Sequence, residues 1–455
     1  MHLLRVQVPD FRGLKDIDIT FEKDFDPKIF PLGSQNGGGK STLLQLIFVL
    51  LHCSVDDDSV DDDKKQFLQN LLQGFKIYDG LEKRVLAIID IWDGEKAVQM
   101  EFFAYNDSFF QNLLALDIGN RNKENIDKAY LSFSVLTRLK RLQSEISELN
   151  IINFINSENQ LQVRDNKQKI ARLNQKSTEI KNICHKVIDY LEAENITYIC
   201  NYSSKRNSND EKRDEALLCH FNNIDRKKAD FFLQKLSAKI FLAAPSTQIF
   251  LFLPPNDRKL LFSNSSKEDK NYYAILASVR SELKGLFTYD FLAVELLIES
   301  FKAVRDRDFR EAIKTGNYGN SYQSLIKELN LLLGNKRINV NEDLSGVNFQ
   351  LYNNGETIEL YPEDLSHGEL KRLSIYAWLK SRNIEEAIVL MDEVEIAFHP
   401  DWQYQIISDL KEWAPSNQYI LATHSYALCE ALTPAHVKEI EPKLIKQESN
   451  ITNES

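Results

Sequence analysis

A glycine-rich stretch near the start of the chain has the residue types and the spacing of a phosphate-binding loop. It runs from Gly33 to Thr42 and follows an apolar segment, Ile29 to Leu32, that can end a strand. An apolar run long enough for a buried helix begins directly after it, at Leu43. A glycine loop between a strand and a helix lets backbone N–H groups converge on phosphate oxygens at the positive end of the helix. The sequence therefore predicts a nucleotide site.

The polar residues of this loop have predicted roles in holding the nucleotide. Lys40 is expected to reach the β- and γ-phosphates, and Ser41 to supply a hydroxyl to Mg²⁺. Ser34 stands where the usual pattern has glycine, so we expect the first turn of the loop to be shifted. The residues expected to contact the nucleotide are Gln35, Asn36, Gly37, Gly38, Gly39, Lys40, Ser41 and Thr42.

Near the end of the chain, an apolar stretch ends in two carboxylates. Residues 387–391 are typical of a buried strand, and Asp392 and Glu393 follow directly. Carboxylate oxygens suit Mg²⁺, so Asp392 is expected to hold the metal through water beside Ser41. Glu393 is expected to orient or deprotonate an attacking water. Glu395 is a weaker candidate for this base, because it lies further past the end of the strand.

Two other stretches near the end of the chain suit the same chemistry. The stretch from Leu365 to Leu373 puts Ser366 and Gly368 at the start of a helix, which makes an anion-binding site. Another predicted strand ends at His424, whose side chain can reach a γ-phosphate. Each feature alone is an ordinary helix start or a structural histidine. Together with the glycine loop that precedes them, their order and spacing indicate one nucleotide site.

In this order the motifs resemble those of an ATPase of the ABC class, in the branch that includes chromosome-maintenance (SMC), Rad50-like and AAA_21-type proteins. Residues 365–369, LSHGE, match the signature LSxGE of that branch, with His367 at the variable position. Residues 392–400, DEVEIAFHP, resemble the DEPExxLHP form of its Walker B segment, with Val394 in place of proline. The start of the chain, VPDFRGLKDIDITF, is similar to the opening strand–turn–strand of the branch, in which a basic residue at the position of Arg12 lies near the nucleotide.

The resemblance implies an α/β fold, in which one ABC-type P-loop nucleotide-binding domain is split by a large helical insertion. The leucine and isoleucine spacing from about Leu136 fits either a coiled-coil hairpin with its bend at 153–160 or a packed helical subdomain. We expect four segments: residues 1–105, the N-terminal half with the Walker A loop; 106–240, a helical or coiled-coil-like insertion; 241–334, a strand and a helical subdomain; and 335–455, the C-terminal half with the signature, Walker B and histidine switch.

The resemblance also implies a mechanism that needs two copies of the chain. In ABC-class ATPases each ATP lies between the phosphate loop of one subunit and the signature of the other. ATP and Mg²⁺ are then the cofactors, and we expect a homodimer or a higher assembly. Glu393 and His424 would be catalytic, and Arg12 would contact ATP. The residues that would reach the partner copy's ATP are Ser366, His367, Gly368 and Glu369. The metal would be held by Ser41, Asp392 and Gln248, the last as the glutamine that ends a middle strand in this class.

Composition and charge limit the class of protein. The 455 residues carry a net charge of −11, so any contact with nucleic acid must come from a local basic patch or from a partner. No apolar run is long enough to span a bilayer, and the first residues lack the features of a signal peptide. We therefore expect a cytoplasmic protein without membrane contact. The five scattered cysteines lack a CxxC pair, which indicates reduced thiols rather than a zinc site.

Two functions from different classes fit these motifs. More than 300 residues separate Lys40 from Ser366, which disfavours a compact transporter ATPase, and neither an HNH pattern nor room for a TOPRIM module after His424 is evident. The chain resembles the ATPase of Septu-type and retron-associated antiphage defence, which holds a separate HNH nuclease and, in retrons, a reverse transcriptase with its ssDNA and RNA. The alternative is a RecF- or Rad50-like DNA-repair ATPase that binds DNA directly, which the basic clusters at 138–141 and 305–307 favour.

Overall fold

In the part of the chain that the computed structural model describes, the strands form three β-sheets, accompanied by helices. The residues that the structure describes are 1–34, 37–55, 63–78, 81–106, 142, 145–150, 152, 160–203, 214–253, 272–289, 293–353 and 356–440. The strands are β1 His2–Phe11, β2 Leu14–Thr20, β3 Ile29–Gly33, β4 Lys83–Trp92, β5 Ala97–Asn106, β6 Ile196–Ser203, β7 Asp214–Asn222, β8 Ile240–Ala244, β9 Leu286–Thr288, β10 Lys336–Val340, β11 Val347–Asn353, β12 Glu356–Leu360, β13 Ile388–Asp392, β14 Gln418–Ala422 and β15 Lys438–Glu439. The helices are α1 Lys40–Cys53, α2 Asp63–Leu72, α3 Gln160–Ala193, α4 Arg226–Ser237, α5 Tyr272–Glu282, α6 Ala293–Thr315, α7 Ser321–Leu333, α8 His367–Ser381, α9 Pro400–Trp413 and α10 Tyr426–Glu430, and short 3-10 helices cover Ser246–Phe252, Pro362–Asp364 and Pro434–His436.

The strands that carry the predicted site form a parallel sheet in the order β15-β3-β14-β13-β8-β9. Every residue of β13 and β14 is buried, as expected for apolar strands covered on both faces. The register sets Asp392 beside Ala422, and Ala422 beside Leu32. Because the carboxyl ends of parallel strands meet at one edge of a sheet, the residues that follow these strands come together there.

Each face of the parallel sheet packs against a different layer. Alternate residues of β13 divide between two cores: Ile388 and Leu390 pack in the core of α1 and the N-terminal strands, whereas Val389 and Met391 pack with α6, α7, α8 and α9. α1 is buried from Leu43 onward, because it packs on β8 and β13 on one side and on α2 and α4 on others. This burial on all sides explains why its sequence is apolar without a polar stripe.

The N-terminal strands form an antiparallel sheet in the order β2-β1-β4-β5-β7-β6. The strand–turn–strand expected around Arg12 is present as β1 and β2, and β4 pairs with β5 across the turn at Asp93–Gly94. The prediction of a helical or coiled-coil-like insertion at 106–240 is wrong for β6 and β7, which extend this sheet from β5. The helical spacing stops at Leu191, and the β-branched and aromatic residues at 196–199 suit a pleated surface.

Within the same range, α3 matches the helical prediction. It has 34 residues and therefore spans about 50 Å. Glu145 forms an ion pair with Lys169 at 2.8 Å, so the helical stretch at 145–150 lies beside α3. This contact fits both a coiled-coil hairpin and a packed helical subdomain. The predicted bend at 153–160 lies outside the described residues except for Gln160, where α3 begins. None of the helices in the described ranges is both long and apolar enough to cross a membrane.

The segment 241–334 differs in detail from the expected strand and helical subdomain. The apolar residues from Ile249 to Leu253, whose composition favours a strand, fall mostly in a 3-10 helix, and the strand is β8, just before it. Pro245 follows β8 and has no N–H to donate to a sheet, which explains where the strand ends. Phe287, within the segment expected to be a helical subdomain, lies in strand β9. Shortly before the signature, β11 and β12 form a hairpin, and β10 adds a third strand to it.

One buried side chain joins the antiparallel sheet to the parallel sheet. Gln418, at the start of β14, is 1% exposed. Its amide nitrogen donates to the Leu3 carbonyl at 2.9 Å, and its Oε1 accepts from the Leu3 N–H at 2.7 Å. The pairing of β1 with β4 is irregular between Leu3 and Arg5, and Gln418 supplies hydrogen bonds at that irregularity.

We predict that Gln418→Leu lowers the free energy of unfolding by about 2–4 kcal/mol, because two buried backbone groups lose their partners at about 1–3 kcal/mol each. Urea unfolding measures the change. Gln323→Leu, on the exposed side of α7, is the matched control and should change stability little. Equal stability of the two variants would show that the backbone of Leu3 does not depend on Gln418.

Candidate active site

The carboxyl edge of the parallel sheet brings together predicted residues from distant parts of the chain. Lys40 begins α1 after β3, Asp392 ends β13, and His424 lies just past β14. The Ser41 hydroxyl donates to Asp392 Oδ1 at 3.0 Å, and Lys40 Nζ lies 3.4 Å from His424 Nδ1. The predicted phosphate lysine, metal hydroxyl, metal carboxylate and histidine therefore form one connected group.

The glycines of the loop are required by the shape of its backbone. Gly37 and Gly39 have φ angles of 81° and 87°, a left-handed conformation that glycine adopts at little cost. A Cβ on Gly39 would also lie 2.5 Å from Cδ2 of Leu14, the first residue of β2. No side chain caps α1, so its first N–H groups suit phosphate oxygens. Gln35 and Asn36 lie outside the described residues.

The backbone conformation and the contacts of Ser34 explain why a serine stands where the usual pattern has glycine. Its φ is not positive, so this position does not need glycine. Its carbonyl oxygen and its hydroxyl oxygen each accept a hydrogen bond from Lys40 Nζ at 3.0 Å. In the ligand-free protein, Ser34 therefore holds the ammonium group that is predicted to bind phosphate.

Burial and like charge make this group a fit for a cation. Asp392 is 2% exposed, and burial together with Glu393 and Glu395 raises its pKa from 3.8 to about 6, against the effect of Ser41 and Lys40. Burial likewise lowers the pKa of Lys40, and the three carboxylates oppose that change. A bound cation would favour the charged form of Asp392, and phosphate oxygens would favour the charged form of Lys40.

The donor set fits Mg²⁺ only together with a phosphate ligand. Among the described residues, no group of three or more His, Cys, Asp or Glu side chains has the arrangement of a metal site. Mg²⁺ commonly takes one or two protein oxygens, the remainder coming from nucleotide phosphates and water. Ser41 and Asp392 provide such a pair beside the phosphate loop.

Glu393 is held in an uncommon backbone conformation directly after β13. Its φ is 51°, and its N–H donates to the Ala422 carbonyl at 2.9 Å. Its own carbonyl accepts from Lys371 Nζ at 2.8 Å. A left-handed non-glycine residue costs about 1 kcal/mol or more and persists where its surroundings hold it. Lys371, which lies on α8 and is buried, was not predicted from the sequence, although it stands only two residues after the LSHGE match.

The signature residues lie at the N-terminus of α8, as predicted. The Ser366 hydroxyl accepts from the Glu369 N–H, and a Glu369 carboxylate oxygen accepts from the Ser366 N–H at 2.8 Å. This reciprocal capping box fixes the start of the helix. A Cβ on Gly368 would lie 2.7 Å from the Ala397 carbonyl oxygen, so only glycine allows this close approach. Ser366 and His367 are exposed, and in the described part of the chain neither has a hydrogen bond to the phosphate loop.

Two other predicted contacts have different partners in the ligand-free protein. The Arg12 guanidinium donates to the Leu71 carbonyl at 2.8 Å, at the C-terminal end of α2. Gln248 follows β8 closely, as expected for the glutamine of this class, but its Oε1 accepts from Gln45 Nε2 at 2.8 Å. Thr42 is half-buried in the first turn of α1. The ligand roles of Arg12, Gln248 and Thr42 stay predictions.

Ser34→Gly and Ser34→Ala are both predicted to bind nucleotide about three- to tenfold more tightly than the unaltered protein, because the ammonium of Lys40 loses a hydroxyl acceptor that competes with phosphate. Titration with a fluorescent ATP analogue gives the dissociation constants. The alanine variant separates the loss of the hydroxyl from added backbone freedom. Weaker or unchanged binding by both variants would contradict the competing role of Ser34.

Asp392→Asn is predicted to stabilise the ligand-free protein at neutral and alkaline pH. The folded state raises the pKa of Asp392 to about 6, so it binds the proton more tightly than the unfolded state does. The charged carboxylate therefore costs stability as the pH rises from about 4 through 6, by up to about 3 kcal/mol. Urea unfolding without nucleotide or metal should show the advantage of the variant growing over this pH range and levelling above it. Asp230→Asn, on the exposed side of α4, is the control. An advantage that grows toward acid pH would contradict the prediction.

Comparisons with known proteins identify the family of the chain. The family model for an AAA ATPase domain (AAA_15) matches residues 1–428. The Retron Vc95 probable ATPase of Vibrio cholerae serotype O1 biovar El Tor is 30% identical over 113 residues, and this match spans 21% of the present chain and 22% of that protein. The Smc head domain of Pyrococcus furiosus bound to the C-terminal domain of ScpA aligns with 94% of the chain and 91% of its own length, at 11% identity and a TM-score of 0.33. A second SmcHead structure, bound to the C-winged helix domain of ScpA, aligns with 95% of the chain and 92% of its own length, at 12% identity and a TM-score of 0.35. Because the family match covers almost the whole sequence, the chain belongs to the AAA ATPase domain family.

Proposed function

We propose that this protein is a Mg²⁺-dependent ATPase that dimerises around ATP and thereby controls a separate effector nuclease in antiphage defence. The observation that carries the proposal is the division of the site between two surfaces of one chain. The phosphate loop, Asp392 and His424 converge at the edge of the parallel sheet. The signature residues Ser366 and His367 are exposed at the start of α8 and have no hydrogen bond to that group in the described part of the chain.

Each half of the divided site lacks what the other offers. The phosphate loop supplies Lys40, one ammonium group, against the several negative charges of a triphosphate. The start of α8 supplies backbone N–H groups and the positive end of a helix, which attract phosphate oxygens. A second copy that presents its α8 to the loop of the first would complete both sites. ATP-dependent dimerisation therefore follows from the incomplete charge balance of a single chain.

Within the completed site, the residues of this chain have separate roles. Lys40 would leave Ser34 and donate to phosphate oxygens, while Ser41 and Asp392 hold the metal. Mg²⁺, when bound, supplies positive charge that offsets the charge of the phosphates. Glu393 would accept a proton from the attacking water or orient it, and His424 would donate toward the γ-phosphate.

The assignment to antiphage defence rests on the resemblance of the motifs and on the retron relative. That relative is named a probable ATPase of a retron, and the match covers only about a fifth of each chain. An HNH-type nuclease is the proposed partner, and a reverse transcriptase with its ssDNA and RNA is a further one. Contact with nucleic acid would then be indirect, in keeping with the net charge of −11. The proposed location is the cytoplasm.

One observation favours direct DNA binding as a second candidate function. On α6, Arg307, Arg310 and Lys314 are exposed and lie on one side of the helix, with spacings of three and four residues. In the neighbouring cluster, Arg305 is already paired with Asp306 at 2.8 Å. The other basic cluster, at 138–141, lies outside the described residues, so α6 alone carries this candidate. Co-purification of the chain with a small nuclease would support defence, whereas salt-dependent DNA binding by the pure protein would support repair.

His367→Glu tests the proposed dimer most directly. The exposed His367 would face the γ-phosphate of the other copy, so a carboxylate there should repel it and abolish ATP-dependent dimerisation. Glutamate suits the first turn of a helix, so α8 should stay intact. Light scattering after size-exclusion chromatography, with and without ATP and Mg²⁺, measures the dimer. His367→Gln is the neutral control. A dimer of unchanged affinity in His367→Glu would refute the shared site.

Glu393→Gln and Lys40→Ala test the two chemical roles. Glu393→Gln should bind ATP, lose at least about a hundredfold in turnover and accumulate as the ATP-bound dimer, because the base is absent. Lys40→Ala should lose nucleotide binding and dimerisation together. Lys380→Ala, on the same helix as the signature but exposed, is the control. ATP-dependent association that Glu393→Gln does not strengthen, or nucleotide binding that survives in Lys40→Ala, would contradict the scheme.

A further inference from the structure

The segment Glu393–Phe398, between β13 and α9, bridges the signature helix and the turn that carries His424. On one side, Lys371 of α8 donates to the carbonyls of Glu393 at 2.8 Å and Ile396 at 3.2 Å. On the other side, the segment reaches the residues that follow β14. These contacts make the segment the shared neighbour of the two surfaces that the proposed dimer uses.

Glu395 makes the contact on the histidine side. It is 7% exposed, and its Oε1 accepts from the backbone N–H of His424 at 2.7 Å. Its other carboxylate oxygen is buried and has no hydrogen-bond partner. The one hydrogen bond that the Glu395 carboxylate makes among the described residues is therefore with the backbone N–H of His424. A hydrogen bond from an N–H to a charged acceptor is among the stronger kinds, and screening by water is weak at a buried site.

A second contact holds the same turn from α9. Gln403 donates to the Phe398 carbonyl at 3.1 Å and accepts from the hydroxyl of Ser425. The residue after His424 is therefore tied to the same segment as His424 itself. Glu395 thus holds the main chain of His424, and Gln403 holds the side chain of the next residue, Ser425.

The position of the His424 imidazole depends on this main-chain anchorage. His424 is exposed, so packing of its side chain does not hold it in place. Its Nδ1 nevertheless lies 3.4 Å from Lys40 Nζ, at the phosphate-binding end of the loop. With an exposed ring, the backbone hydrogen bonds are what set the distance between imidazole and ammonium.

We infer that Glu395 is a positioning residue, which holds the main chain of His424 so that its imidazole reaches the γ-phosphate site. This assignment differs from a role as general base, because the carboxylate acts through an N–H of the protein rather than on water. The inference rests on the proposed function for the role of His424 in turnover, whereas the anchorage itself can be measured without nucleotide.

Hydrogen exchange in the ligand-free protein tests the anchorage. Glu395→Ala should speed exchange of the His424 amide by about tenfold or more, because a hydrogen bond to a charged acceptor is lost. Glu395→Gln retains an acceptor oxygen, so exchange should rise only a few-fold. Glu430→Ala removes an exposed carboxylate at the end of α10 and should leave this amide unchanged. An amide that exchanges equally in Glu395→Ala and in the unaltered protein would overturn the inference, whatever the ATPase activity.

Turnover of ATP tests whether Glu395 acts through His424. Glu395→Ala should lower kcat by about 10- to 100-fold through misplacement of the imidazole, with little change in KM. Glu395→Gln should restore most of kcat. In a His424→Ala background, Glu395→Ala should have no further effect on kcat.

Two results would overturn the positioning role: a Glu395→Gln variant as inactive as Glu395→Ala, which indicates a charged catalytic group, or full additivity with His424→Ala. If His424→Ala itself leaves turnover unchanged, the role of His424 in the proposed function fails. The exchange experiment still decides whether Glu395 anchors the turn, so the two failures are distinguishable.

Discussion

The register of the parallel sheet is the constraint on which the rest of this structure depends. Leu32, Ala422 and Asp392 are level at one edge of the sheet, so the glycine loop, the turn that carries His424 and the Asp392 carboxylate lie together there. A slip of one residue between β13 and β14 would exchange the faces on which their side chains pack. Alternate apolar residues of β13 pack in two different cores, which fixes the strand register and thereby the relative positions of the site residues.

The site contains two buried charged side chains, Lys40 and Asp392, and each has hydrogen-bond partners in the ligand-free protein. Lys40 is held by Ser34 and His424, and Asp392 by the hydroxyl of Ser41. Burial still raises the pKa of Asp392 and lowers that of Lys40, so both groups are less stable as ions than they would be in water. Phosphate and metal ligands would supply the missing partners. The same features that cost stability in the free protein are those that favour binding.

The helix α8, which begins at the signature, has an exposed N-terminus and a buried contact with the segment after β13. Its N-terminus is exposed and available to another molecule, whereas Lys371, one turn further on, is buried and bound to the carbonyl of Glu393. Gly368 permits the close packing between them, since a side chain there would meet the Ala397 carbonyl. A displacement of α8 on binding a partner would thus reach the residues that follow β13 through direct contacts.

Local motifs in the sequence were sufficient to predict the main parts of the site, because each of them dictates its own backbone. Glycines 37 and 39 occupy positive φ angles, and Ser366 with Glu369 forms a capping box, so the loop and the start of α8 are specified by residues close together in the chain. The apolar strands ending at Asp392 and Ala422 were likewise recognisable from their composition. The fold class follows from these elements and their order.

Contacts between residues far apart in the sequence were decided only by the tertiary structure. The hydrogen bonds of Lys40 to His424 and of Gln418 to Leu3 join positions separated by 384 and 415 residues, and no spacing rule relates such positions. The same reason explains why β6 and β7 were missed, since their place is set by pairing with β5. The use of Glu395 as an anchor for His424 also depends on burial, which a short motif does not encode. The sequence by itself determined which groups are candidates for binding phosphate and metal, because their types and order can be read from the chain. Tertiary packing decided which partner each group has in the folded protein.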